Sequence, residues 1–185
     1  MRAQINQTVL DLVQGDIVEQ DVDAIVNAAN SSLLGGGGVD GAIHRATGPE
    51  LLAETRRLGG CHTGDAKISK GYKLKARHII HTVGPIYRAN DPDVPRQLAS
   101  AYLRSLEVAQ ENDLKTLAFP AVSTGVYGYP LTEATRIALS AVCDFAAVSS
   151  AVSLVRFVLF DARALATYER TLSSLVKQRT DLHLT

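Results

Sequence analysis

The stretch Asn27-Ala28-Ala29-Asn30-Ser31-Ser32-Leu33-Leu34-Gly35-Gly36-Gly37-Gly38-Val39-Asp40-Gly41-Ala42-Ile43 decides how this chain is read. An apolar run, Ala24-Ile25-Val26, leads into it. Two asparagines, four consecutive glycines and a carboxylate opening a helix-like segment follow. Glycines let a backbone approach a ligand closely and turn several N–H groups the same way. A helix start beneath them adds partial positive charge. Together they can hold phosphate without a metal or a lysine, beside Asn and Asp side chains able to read hydroxyls.

Outward from this loop, strand-like and helix-like segments alternate. Thr8–Val13 reads as a strand ending at Gly15-Asp16, and Val22–Ala28 as a buried strand. Asp40–Arg57 reads as a helix with a break at Gly48-Pro49 and a stop at Gly59-Gly60. Ala66–Ser69 and Arg77–Val83 read as short strands. Pro95–Asn112 reads as a helix with Leu98, Tyr102, Leu106 and Ala109 on one face. Thr116–Phe119 is a strand. Thr132–Ala147 is a helix capped by Thr132, its buried stripe formed by Ile137, Ala138, Ala141, Val142 and Phe145. Leu154–Phe160 reads as a strand too apolar to face water. Asp161–Lys177 is the last helix, and the residues after Arg179 read as a frayed tail. The pattern predicts a three-layer α/β/α sandwich with a mixed, mostly parallel sheet. It is read as a single domain over 1–185, with its core at about 7–178.

Composition narrows the function classes. Hydrophobic residues make up 46% of the chain, which excludes disorder. Nineteen basic and nineteen acidic side chains cancel, so no net field draws the protein to nucleic acid or acidic membrane. No apolar run approaches the ~18 residues of a membrane span, and Met1–Asn6 carries no signal-peptide core. Two cysteines, Cys61 and Cys143, make no disulfide framework. A cytoplasmic protein is expected, with no membrane or nucleic-acid partner.

Ligands of open α/β sheets bind beyond the carboxyl ends of the strands. The informative clusters all fall there. Gly36, Gly37, Gly38 and Val39 form one loop. Ser123-Thr124-Gly125-Val126-Tyr127-Gly128-Tyr129-Pro130 forms a second, able to clamp the other side of a diphosphate, with Tyr129 against a sugar or ring. Asp16 can accept from an exocyclic amine while the Ile17 N–H donates to a ring nitrogen, and Phe160 can stack on a base. Asn27, Asn30 and Asp40 are the candidate chemical group, since paired amides suit a diol such as ribose. Plainer readings stand beside these: Asp16 as a turn-former, Phe160 as core, Asn27 as a loop-tying amide, Asp40 as a helix cap, and His44 as structural. The literal G-x-G-x-x-G at Gly36–Gly41 lies too far from its strand for a dinucleotide fingerprint. No metal ligand set and no cofactor is read.

These residues resemble the macrodomain family, in its MacroD-like branch. The resemblance rests on Gly15-Asp16-Ile17, Val22–Asn30, Gly35–Ala46, His81-Thr82-Val83-Gly84-Pro85 and Pro120–Pro130. It implies an ADP-ribose cleft, with Asp16 and Ile17 at adenine, Phe160 stacked near it, and Gly36–Val39 and Ser123–Tyr127 on the diphosphate. Asn27, Asn30, Asp40 and Tyr129 would surround the distal ribose, with Asn30/Asp40 as the branch's catalytic signature. The implied activities are deacetylation of O-acetyl-ADP-ribose and removal of mono-ADP-ribose from acidic side chains of modified proteins. The competing expectations are a module that binds ADP-ribose without chemistry and, more distantly, a nicotinamide-dinucleotide protein.

Overall fold

A computed structural model of the chain describes residues 1–185. The strands are β1 (Arg2–Ile5), β2 (Thr8–Gln14), β3 (Ala24–Ala28), β4 (Ala66–Lys70), β5 (His78–Thr82), β6 (Thr116–Phe119), β7 (Leu154–Leu159) and β8 (Leu182–Leu184), with β2 and β7 carrying the most Ile, Val and Leu. The helices are α1 (Gly38–Thr47), α2 (Glu50–Leu58), α3 (Asp93–Glu111), α4 (Leu131–Val148) and α5 (Ala162–Gln178). The strands form one sheet in the order β4-β5-β3-β6-β7-β2-β1-β8. The five central strands β5, β3, β6, β7 and β2 are mutually parallel. Antiparallel β4 closes one edge, and β1 with β8 closes the other.

Each central strand is buried on both faces, and the two-residue period sorts its side chains between layers. Val26, Ile80, Leu117, Phe119 and Phe157 point to the larger core beneath α3, α4 and α5. Ile25, Ile79, Ala118 and Val158 point to the smaller one with Ile43 of α1 and Leu51 of α2. The result is the expected three-layer α/β/α arrangement. The same alternation carries Asn27, two residues after Ile25, onto the α1 side of the sheet. That placement builds the site described below.

Several local expectations are corrected. The tail does not fray: β8 pairs with β1, Leu182 is fully buried, and Arg179 is held by Asp144 at 2.7 Å. The strand β1 lacked a long apolar run and was not anticipated; it is a short strand held between β2 and the edge strand β8. Thr132 does not cap α4, because Pro130 occupies the cap position and makes no side-chain cap bond. Nor is β7 wholly apolar, since it carries Arg156, whose Nε lies 2.9 Å from Asp11 Oδ2 on β2. The Gly48-Pro49 break does separate α1 from α2, and Gly59, with φ +72°, ends α2.

Asp23 pins the starts of three strands. Its Oδ2 accepts from the N–H groups of Lys115 (2.7 Å) and Thr116 (3.0 Å), its Oδ1 from Arg77 (2.9 Å), and its carbonyl from the His78 N–H. Burial works to raise its pKa, but these donors outweigh burial and hold it below the ordinary 3.8. The stability it adds is therefore present above that value and is lost as pH falls through the depressed folded pKa. Asp23→Ala is expected to lower unfolding free energy by about 2 kcal/mol at pH 7 in urea titrations, with the gap closing toward pH 3.

Candidate functional site

The carboxyl ends of the parallel strands meet at one sheet edge, where the loops after β3, β5 and β6 enclose a cleft of about 250 Å³. The glycine loop forms one wall. Gly37 occupies the cap position of α1 in extended backbone without a side-chain cap, so the first-turn N–H groups have no internal acceptor. Two glycines are demanded by packing. A Cβ on Gly41 would come within 2.6 Å of the Gly36 carbonyl, and one on Gly84 within 2.2 Å of Ser123 Oγ. Gly38, at φ +58°, adopts the left-handed region. By contrast, a Cβ on Gly37 or Gly125 would meet nothing within 4 Å. Those two positions leave the cleft open.

The opposite wall is the β6–α4 loop. Ser123 sits there at φ +66° and is buried, with its hydroxyl lacking any partner. A non-glycine in that conformation stores strain of the kind found at ligand sites. The Thr124 hydroxyl is spent inside the loop on the Ala121 carbonyl at 2.8 Å. Val126 is 99% exposed at the rim.

Asp40 lines the cleft and is 4% exposed. The helix begins two residues earlier than the sequence pattern predicts, so Asp40 is not its cap but its third residue. There the positive end of α1 favours a carboxylate by roughly 0.3–1 kcal/mol. Its Oδ1 accepts from Asn27 Nδ2 at 2.8 Å and lies 3.3 Å from His44 Nε2, one turn along. Its Oδ2 has no protein partner and faces Gly36, where a Cβ would stand 3.1 Å away. One oxygen is anchored and the other is free toward the cleft. Asn30 is held beside it: its Nδ2 donates to the Gly35 carbonyl at 3.0 Å, and its Oδ1 accepts from Ser32 Oγ at 2.6 Å.

Beneath Asp40 the polar contacts continue into the sheet. Asn27 Nδ2 is 3.1 Å from His81 Nδ1, and His81 Nε2 is 2.8 Å from Ser69 Oγ. Burial depresses the His81 pKa, with a smaller push from His44, to about 3, so its ring is neutral.

The cleft thus gathers Asn30, Gly36, Gly37, Gly38, Val39, Asp40, Ser123, Gly125, Val126 and Tyr127. Asn27 lies against Asp40 and is fully buried, outside the lining of the cleft. Tyr129 also moves inward: it is 3% exposed and its ring centroid lies 5.0 Å from that of Tyr87. Asp16, Ile17 and Phe160 lie apart from this cleft. The Asp16 side chain accepts from the Val18 N–H at 3.1 Å, and Ile17 is buried in the smaller core. Phe160 is not core, being 89% exposed just past β7. The Gly15 N–H bonds the Leu159 carbonyl at 3.0 Å, which sets Asp16 and Phe160 on adjacent strand ends of the same sheet edge. Ser69 was not singled out from sequence, His81 entered only as the first residue of a stretch carrying the resemblance, and His44 was read only as structural. The i, i+4 spacing of Asp40 and His44 was the available signal. No group of three or more His, Cys, Asp or Glu side chains is placed to hold a metal.

This architecture has close counterparts. The macro domain family profile matches residues 26–138, more than half of the chain, and the chain belongs to that family. It is 55% identical over 163 residues to a macro domain-containing protein of Mesorhizobium japonicum, covering 88% of this chain and 93% of that one. It is 61% identical over 133 residues to the ADP-ribose glycohydrolase MACROD2 of Xenopus laevis, covering 71% of this chain and 32% of that longer protein. The Oceanobacillus iheyensis macrodomain with ADP superposes with a TM-score of 0.93 at 42% identity over 97% of each chain. The Trypanosoma brucei macrodomain in complex with ADP-ribose gives 0.82 at 45% identity, over 87% of this chain and 68% of that one.

Because folded His81 resists protonation while an unfolded histidine binds a proton near 6.5, the unfolded state carries the extra proton between the two values. The stability due to neutral His81 is present above pH 6.5 and is lost as pH falls toward 3. Urea midpoints measured from pH 7 to pH 4 should fall steadily in the parent and less steeply in His81→Asn.

Proposed function

We propose that this chain binds ADP-ribose derivatives in the cleft and hydrolyses esters on the distal ribose. The substrates would be O-acetyl-ADP-ribose and mono-ADP-ribosylated acidic side chains of proteins. The single observation that carries the chemistry is Asp40, clamped through Oδ1 and free at Oδ2. Binding alone gains little from an anion beside a diphosphate, whereas a hydrolase needs a positioned proton acceptor.

In this reading the N–H groups of Gly36–Val39 and of Ser123–Tyr127 hold the diphosphate, with the positive end of α1 beneath it. Asp16 and Ile17 meet adenine, and exposed Phe160 stacks on it. Asn30 orients the distal ribose hydroxyls. Asp40 Oδ2 takes a proton from water as the water oxygen bonds to the ester carbonyl carbon. The tetrahedral carbon then expels the ribose oxygen, and Asp40 returns the proton to that oxygen, leaving acid and alcohol. The named relatives that bind ADP, bind ADP-ribose or hydrolyse ADP-ribose linkages support this substrate class. The chain acts as one domain. No helix is long and apolar enough to cross a membrane, and both cysteines are buried and unpaired. A reducing, cytoplasmic setting suits them.

Asp40→Ala is expected to lower turnover of O-acetyl-ADP-ribose by about 10²- to 10⁴-fold. Its ADP-ribose affinity in calorimetry should stay within about threefold of the parent. A variant that hydrolyses at the parental rate contradicts the role of Asp40. A parent chain that binds ADP-ribose but releases none from its esters is instead a binding module. The glycines separate packing from binding. Gly37→Ala should fold like the parent yet bind ADP-ribose more weakly, because its methyl enters the open cleft. Gly41→Ala should unfold at lower temperature, because its methyl collides with the Gly36 carbonyl.

A further inference from the structure

The α1-facing residues of three neighbouring strands form a buried polar row: Asn27 on β3, His81 on β5 and Ser69 on β4. Register supports this, since Asn27 lies opposite His81 while Ser69 lies opposite Ile79, whose side chain shares that face. All three are at most 3% exposed. Such a row costs desolvation free energy unless every hydrogen is committed.

The hydrogens can be assigned one by one. With the Ser69 hydroxyl hydrogen on the Lys70 carbonyl at 3.1 Å, its oxygen can accept at 2.8 Å from His81 Nε2–H. His81, neutral, then presents a bare Nδ1. The two Asn27 Nδ2 hydrogens go to that nitrogen at 3.1 Å and to Asp40 Oδ1 at 2.8 Å. Asn27 Oδ1 is buried and has no partner. The amide's own oxygen therefore does nothing to select its orientation. His81 and Asp40 select it together. With the opposite tautomer, Nδ1–H would face the Asn27 amino group, and the amide would be driven to turn its oxygen toward the carboxylate.

We propose that His81, set in its Nε2–H tautomer by Ser69, is a positioning residue that commits the Asn27 amide to Asp40 Oδ1 and so leaves Oδ2 as the free oxygen in the cleft. His81 touches no ligand; it acts through Asn27. His44 Nε2 approaches the same Oδ1 from α1 and reinforces the choice of oxygen. This inference rests on the hydrolase reading above.

The test combines turnover, binding and ring spectroscopy on the full chain. Ser69→Ala is the mild variant, and His81→Asn and His81→Gln form a pair. Asn can place a carbonyl oxygen near the Nδ1 position, whereas Gln reaches toward Ser69 and offers Asn27 no acceptor. The kcat for O-acetyl-ADP-ribose should fall by about tenfold in Ser69→Ala, the scale on which removing an outer orienting partner acts. It should fall further in His81→Gln than in His81→Asn. ADP-ribose Kd should stay within about twofold throughout. Nitrogen-15 spectra of the parent should show His81 protonated at Nε2 alone, with the Nδ1–H form appearing in Ser69→Ala. Parental kcat in Ser69→Ala, equal kcat in the two His81 variants, or Nδ1–H in the parent would overturn the proposal. If the His81 variants do not fold, Ser69→Ala decides. A parent without turnover on any ADP-ribose ester overturns the hydrolase reading and this role with it, a result distinct from an active parent with unaffected variants.

Discussion

The hydrogen bond from Asn27 to Asp40 joins the centre of the sheet to the first turn of α1, and the site depends on it. A buried carboxylate without a partner would be driven to take up a proton or to unfold its surroundings. Here the sheet supplies a neutral donor instead of a cation. One carboxylate oxygen is hydrogen-bonded by the sheet, in the first turn of α1, and no arginine or lysine is paired with the other. A strand residue, a loop of four glycines and a helix start are thereby locked into one geometry. Within the glycine run only Gly36 is crowded, against Asp40 and Asn30, and Gly41 just beyond it lies against the Gly36 carbonyl, whereas Gly37 and Gly38 border open space.

The parallel sheet makes this arrangement possible. Five strands pointing the same way deliver their following loops to a single edge, and each strand's alternation decides which core its side chains enter. Asn27 and His81 face α1 because Ile25 and Ile79 do. The larger core on the opposite face packs Tyr102 on Phe119, Phe119 on Phe157 and Phe157 on Tyr168, and meets the cleft at Val122, which lines it.

Much of this was legible in the chain. Alternating apolar runs and amphipathic segments predicted the three layers, because long central strands and helices carry strong periodic signals. The glycine run and Asn30/Asp40 pointed to the cleft because few other roles need those residues so close together. What escaped had weak or nonlocal signals. The strands β1 and β8 are short, and β8, at the sheet edge, pairs with β1 from nearly the whole chain away. The plainer reading of Asp40 as a helix cap does not hold, because Gly37 occupies the cap position with no side chain at all. Asn27 and Tyr129 were assigned to the ligand because sequence spacing does not report depth beneath a cavity wall. His81 and Ser69 lie 54 and 42 residues from Asn27 along the chain, so only the strand register brings them together.

In the proposed function, two loops grip a pyrophosphate with main-chain hydrogens while Asp40, anchored from below, presents one free oxygen to the distal sugar. A crystal structure of this chain with ADP-ribose tests it most directly. The account predicts the diphosphate between Gly36–Val39 and Ser123–Tyr127, the Asn27–Asp40 bond intact, and Asp40 Oδ2 within hydrogen-bond reach of the distal ribose or of a water upon it. A ligand bound elsewhere, or an Asp40 carboxylate detached from Asn27 and turned away from the sugar, would contradict it.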